Sequence, residues 1–156
     1  MFASTILVGQ AGSAPCSNKG STLSVTAAAL RPADVLLAIT RPRAGEMVTE
    51  VMPSQSVTVT VDYWGPRLVA ADQAHNVDEY HLVFFLDTDD AAYVGSLTPA
   101  PRCTARMLHS ASPSATFDHV MRGSHTVSVM LVGSNDVSVN PPVAASITFV
   151  ATDTRS

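Results

Sequence analysis

Positive charge is scarce in this chain. Among 156 residues there is one lysine, Lys19, and Lys and Arg together number nine against thirteen Asp and Glu, for a formal net charge of -4. The arginines are scattered from Arg31 to Arg155 without a basic stripe. Attraction to phosphate needs clustered positive charge, so the chain is expected to be a poor general binder of nucleic acid or of an anionic membrane surface. Long apolar runs are also missing, and nothing reaches the length needed to span a bilayer. Large rings are few: aromatic residues make up 6% of the chain, and Trp64 is the only tryptophan. The chain has no Gly-x-Ser-x-Gly elbow and no glycine-rich phosphate loop, which removes the usual supports of nucleophilic and nucleotide chemistry. Cysteine occurs twice, at Cys16 and Cys103. One intramolecular disulfide between them would tie the N-terminal region to the middle of the chain; two reduced thiols would read the same way.

What the chain does have is apolar content, 46% hydrophobic, leaning towards Val and Ala. That suits thin layers of branched side chains in one domain. The clearest pattern is Val57, Val59, Val61 and Tyr63 alternating with Ser56, Thr58, Thr60 and Asp62. Period two puts the four larger apolar residues on one face of a strand, and β-branched residues resist helical rotamers. Residues 79–87 form the most hydrophobic strand. Tyr80, Leu82, Phe84 and Leu86 share one face, while His81, Val83, Phe85 and Asp87 share the other. Because Val83 and Phe85 are apolar too, that second face is expected to be covered by an arm, a loop or a partner, and of these Val83 and Phe85 are candidates for protein contact. Further short strands are expected over residues 35–39, 46–52, 103–109, 116–120, 125–132 and 145–150, separated by turn signals such as Pro42, Pro53, Gly65, Gly133 and Pro141.

Seven or so short strands with no long helical period predict an all-β fold, an immunoglobulin-like antiparallel sandwich, with a small β-barrel as the alternative because strand count does not fix closure. Links too short for crossover helices favour antiparallel pairing throughout. The expected organisation is an N-terminal arm over residues 1–34, which could add an edge strand or pair with a neighbouring subunit. The sandwich follows over 35–151, then a short tail over 152–156.

The region from Ile39 to Val150 resembles a class of bacterial-type Ig-like surface domains. The resemblance rests on Ile39-Thr-Arg-Pro-Arg-Ala-Gly45-Glu-Met-Val48, on His81-Leu-Val-Phe-Phe-Leu-Asp87, and on Gly123-Ser-His-Thr-Val-Ser-Val-Met-Leu131. It implies a secreted or surface-attached spacer or binding domain, and some relatives look able to hold a metal through clustered histidines. This chain departs from the pattern at two positions: Val83 stands where a second histidine is expected, and Asn135-Asp136 where an Asn-His pair is expected.

Read residue by residue, His81 and His125 are the candidate metal ligands. If their strands pair, two imidazoles could approach, and neutral imidazole suits zinc or copper, with His119 and Asp87 as further donors by pattern. The competing reading has His125 capping a turn and His81 hydrogen-bonding across the sheet. Asp87, Asp89 and Asp90 could offer oxygens to calcium but lack the glycine and distant glutamate of the helix-loop-helix motif, so an ordinary solvated turn is the simpler account. Trp64, beside Tyr63 at a strand end, is either a contact platform or a plug over the end of the sandwich. The expected function is therefore a non-catalytic structural or protein-interaction domain, extracellular or part of an assembly, meeting a protein partner or itself. A small metal- or carbohydrate-binding domain is the alternative, and no organic cofactor is indicated.

Overall fold

The computed structural model describes residues 34–50 and 55–153. Of the expected arm over residues 1–34, residues 1–33 lie outside them, as does Cys16, so its pairing with the exposed Cys103 is not shown. Among the described residues there are eight strands: β1 Leu36–Arg41, β2 Met47–Glu50, β3 Val57–Trp64, β4 Tyr80–Leu86, β5 Met107–Ser110, β6 Ser114–Phe117, β7 Gly123–Gly133 and β8 Ala144–Asp153. They form two sheets, one in the order β1-β3-β6 and the other β2-β8-β7-β4-β5. The fold is all-β and two-layered. Among the described residues no helix is long and apolar enough to cross a membrane.

The alternation of β3 acts as its period dictates. Val57, Val59 and Val61 are buried, while Thr58 and Asp62 are exposed. Across the gap they meet Leu82, Phe84 and Leu86 of β4 and Val127, Val129 and Leu131 of β7, with Phe117 and Phe149 completing the core. Burying each such side chain contributes roughly 1.5–3 kcal/mol, so this layer supplies the main stabilisation. Tyr63 closes one end: it packs against the core, its Oη donates to the Pro66 carbonyl at 2.6 Å, and burial together with Tyr80 raises its pKa to about 12. Trp64 is not the plug. It points outward, 67% exposed.

Two features depart from the sequence expectation. First, β2 pairs with β8 in parallel, Met47 to Val150 through Glu50 to Asp153. After β1 the chain leaves the first sheet and joins the second within five residues, 42–46, through a cis Arg41–Pro42 bond and Gly45 at φ +73°. The Gly45 N–H donates to Thr148 O at 2.8 Å, anchoring the crossing. Switching sheets lets a short link set two strands parallel without a crossover helix, because the parallel neighbour is not the strand the link came from. Second, β8 continues through Thr152 to Asp153, into the stretch expected as tail.

The outer face of β4 is covered from within. Val83 and Phe85 are fully buried, packed with Met130 and Val132 of β7, Met107 of β5 and Ala100, with Tyr93 and Val94 alongside. The cover is the excursion over residues 88–106, whose Tyr93 ring stacks on Phe85 at 5.7 Å. Val83 and Phe85 are therefore core residues and not a partner surface. The excursion is pinned by Ala100 N–H to Asp136 O at 2.8 Å and by Gly95 N–H to Ser138 Oγ at 3.1 Å.

Candidate metal centre

At the end of that second core, three side chains converge. His81 lies on the outer face of β4 with Val83 and Phe85, following the period of the strand. On one side, β5 pairs antiparallel with Val83 opposite His109, so His109 sits diagonally across from His81 on the same face. On the other side, His81 is opposite Val132 of β7. Beyond β7 the chain turns at once. Asp136 N–H donates to Gly133 O and Gly133 N–H to Val137 O, both at 3.0 Å, and Asp136 takes φ +62°. The left-handed region is tolerated by Asp, and here it swings the carboxylate back over the sheet.

The result is a tight triangle. His81 Nε2 is 2.9 Å from His109 Nδ1 and 3.0 Å from Asp136 Oδ1, and His109 Nδ1 is 3.5 Å from the same oxygen. The side chains of His81, His109 and Asp136 are 0%, 8% and 14% exposed. Around the triangle, His109 Nε2 faces Pro101 O at 3.0 Å, and Arg102 grips the carboxylate by Nε to Oδ2 at 2.7 Å and Nη2 to Oδ1 at 3.0 Å.

The hydrogen-bond pattern assigns the tautomers. Pro101 O can only accept, so His109 Nε2 carries the proton and its Nδ1 offers a lone pair to the centre. His81 Nε2, facing two acceptors, donates to them while no ion is bound. Its Nδ1 is buried with no hydrogen-bond partner among the described residues, a cost that this arrangement bears. Desolvation, then the neighbouring His81, lowers the His109 pKa to about 4 and keeps the ring neutral at physiological pH. Burial pushes the Asp136 carboxyl up, but hydrogen bonds from His81 and Arg102 outweigh it and hold the group below its ordinary range.

Both shifts carry the same sign for stability. An unfolded histidine takes up a proton near 6.5, and the folded His109 only near 4, so protons favour the unfolded chain between those values. The Asp136 contribution persists above its unfolded value of 3.8 and disappears as pH falls through its lower folded value. Metal-free protein is therefore expected to lose thermal stability as pH drops from 6.5 to about 4, and His109→Gln, which cannot titrate, flattens that slope. Melting curves across the window test this; parallel slopes for the two proteins would refute it.

The pair expected from sequence does not assemble. His125 lies seven positions from Val132, the residue opposite His81, which at about 3.3 Å per residue separates the two rings by roughly 23 Å. It also faces the opposite side of the sheet, against Phe149. Its ring nitrogens are both engaged, Nδ1 with Asp87 Oδ2 at 2.7 Å and Nε2 with Met121 O at 2.6 Å. With Thr126 N–H on Asp87 Oδ1 at 3.0 Å, this cluster fastens the end of β4 to the start of β7 and turns neither ring nitrogen of His125 towards His81. Asp87 is engaged with His125, and neither it nor His119 belongs to a group with metal-binding spacing among the described residues. Asp89 caps the 3-10 turn over Asp90–Ala92 through its bond from Ala91 N–H, as an ordinary turn residue does.

His109 and Asp136 are the candidate site residues that the sequence did not bring together with His81. Asp136 occupies a position where the resemblance expected histidine, and a carboxylate there still offers a donor atom. Among the described residues His81, His109 and Asp136 form the group with metal-binding spacing.

No family model matches the chain, and no curated protein matches it. Among solved structures it is similar to a crystal structure of an engineered protein, with a TM-score of 0.41 and 12% identity over 78% of this chain and 21% of that one. The chain thus spans about a fifth of that protein's length. It is also similar to the solution structure of the PKD domain of human KIAA0319, with a TM-score of 0.37 and 12% identity over 90% of this chain and 96% of that one. These are weak structural likenesses, and the functional reading rests on the side chains alone.

Proposed function

We propose that this is a non-catalytic binding domain of immunoglobulin-like build whose specific capacity is to hold one zinc or copper(II) ion between His81, His109 and Asp136. The observation behind this reading is the donor triangle. Three atoms separated by 2.9, 3.0 and 3.5 Å share a point about 2.0–2.1 Å from each, roughly 1 Å off their plane. That is the base of a tetrahedral site with one position left open. Two imidazoles and a carboxylate suit zinc or copper better than the hard cations. The surroundings also fit: Pro101 O fixes the tautomer of His109, and Arg102 orients the carboxylate, as outer groups do around bound metals.

Such an ion would join β4, β5 and the turn after β7, and through Pro101 and Arg102 the covering excursion as well. It would thus do the work of a staple, stabilising the folded chain in proportion to its affinity. An enzymatic role finds no support in the same geometry. The His125–Asp87 pair has its remaining nitrogen taken by a backbone carbonyl, and in the His81–Asp136 pair the His81 Nε2 is already directed at the carboxylate and at His109. A nucleophile, a base and an orienting group are all required together.

Titration of chelator-treated protein with zinc or copper(II) tests the proposal. The expected result is one ion per chain and a rise of about 2.7 kcal/mol in stability at a hundredfold excess over Kd. His109→Ala should weaken binding at least about tenfold. If neither metal moves the melting curve, or the variant binds as well, the proposal fails.

A second reading, contact with a protein partner, draws on the outer face of the smaller sheet. Leu36 and Trp64 are paired directly across β1 and β3 and are 56% and 67% exposed. An aromatic beside an aliphatic residue at a sheet edge suits contact with another protein.

A further inference from the structure

The metal reading leaves one coordination position open, and we infer that its ligand is a carboxylate anion supplied from outside the chain. This inference rests on the metal centre proposed above, and charge in a sheltered place leads to it. A divalent ion brings two positive charges. His81 and His109 bind as neutral imidazoles, and Asp136 returns one negative charge. Arg102 then adds a positive charge of its own, because Nη2 lies 3.0 Å from Oδ1, the same oxygen that would ligate the ion. With a metal–oxygen bond of about 2.0–2.2 Å, the guanidinium stands within roughly 5 Å of the ion.

Two cations that close, in a site whose donors are at most 14% exposed, are poorly served by a neutral water as the fourth ligand. Burial makes unbalanced charge expensive, and an anion relieves both cations at once. Among the described residues the cluster contains no second acidic group that could provide this from within. The anion must reach the centre from the side of Arg102 and Asp136, where exposure is greatest, 27% and 14%.

Carboxylate is favoured among anions by the shape of the guanidinium. Its bond pair with Asp136 uses Nε and Nη2 and leaves Nη1 outside that pair. A planar anion can give one oxygen to the ion and the other to a guanidinium N–H, which a spherical halide cannot do. A free small acid and an acidic side chain on a partner protein offer this same carboxylate chemistry.

The test uses the full chain loaded with copper(II), whose visible absorption reports its ligands. Acetate titrated at constant ionic strength should shift the band saturably, with chloride producing a weaker shift. Arg102→Gln, loaded with enough copper to fill the site, should bind acetate at least about tenfold less tightly. A short aspartyl peptide that acts at lower concentration than acetate identifies a protein side chain as the source, and equal potency identifies a small acid. A band unmoved by acetate while copper stays bound overturns the inference alone, as does an Arg102→Gln variant that binds acetate like the wild type. Failure to bind copper or zinc at all removes the metal centre beneath it.

Discussion

Asp136→Ala is expected to lower the stability of the metal-free domain by about 3–5 kcal/mol, the loss that follows when one partner of a buried ion pair is removed. The size follows from what the carboxylate holds. Arg102 spends two N–H groups on it, at 2.7 and 3.0 Å, and His81, with no exposed side-chain surface, directs its Nε2 to it at 3.0 Å. Deleting the carboxylate leaves a largely buried guanidinium unpaired and a buried imidazole donor with only His109 to meet. Asp136→Asn separates the terms: its amide oxygen can still accept one bond, so a smaller loss is expected, while the charge that would draw the proposed metal is gone. Urea denaturation of the three proteins measures both. A loss below about 1 kcal/mol for the alanine variant is what an exposed pair would show, and it would mean that the cluster is open to water.

The layers of this fold were legible where the pattern is local. Alternation in β3 placed Val57, Val59 and Val61 in the core, and the face that carries Tyr80, Leu82, Phe84 and Leu86 is the one that meets them. Strand β7 was likewise visible from Val127, Val129 and Leu131. Pairing between strands distant in sequence was not, because period and propensity say which way a side chain points but not what stands beside it. The parallel β2–β8 pair is set by the crossing at Pro42 and Gly45, a feature of backbone geometry. His109 became a neighbour of His81 only through the β4–β5 register, and Asp136 only through a turn in the left-handed region. The sequence did mark the second face of β4 as needing cover. Whether a loop, an arm or a partner provides it depends on contacts that no local pattern encodes.

That ambiguity yields a sharp comparison between two adjacent residues. Phe84 and Phe85 point to opposite faces of β4, and both are fully buried. Truncation of either to alanine should cost about 3–5 kcal/mol, since each leaves a ring-sized cavity in a packed layer. Were the outer face of β4 a surface waiting for a partner, Phe85→Ala would change the isolated domain by no more than about 0.5 kcal/mol, as exposed substitutions do. The two variants should nevertheless differ in metal binding. Phe84 packs between the sheets, away from the excursion, so Phe84→Ala should hold zinc with the affinity of the wild type under conditions where both are folded. Phe85 supports Tyr93, Val94 and Ala100, which lie on the segment that continues into Pro101 and Arg102. Loosening that segment releases the groups that orient His109 and Asp136, and losses of outer groups of this kind cost about 10–100-fold in affinity. Equal zinc affinity in the two alanine variants would detach the covering excursion from the centre and reduce Arg102 to a surface partner of Asp136.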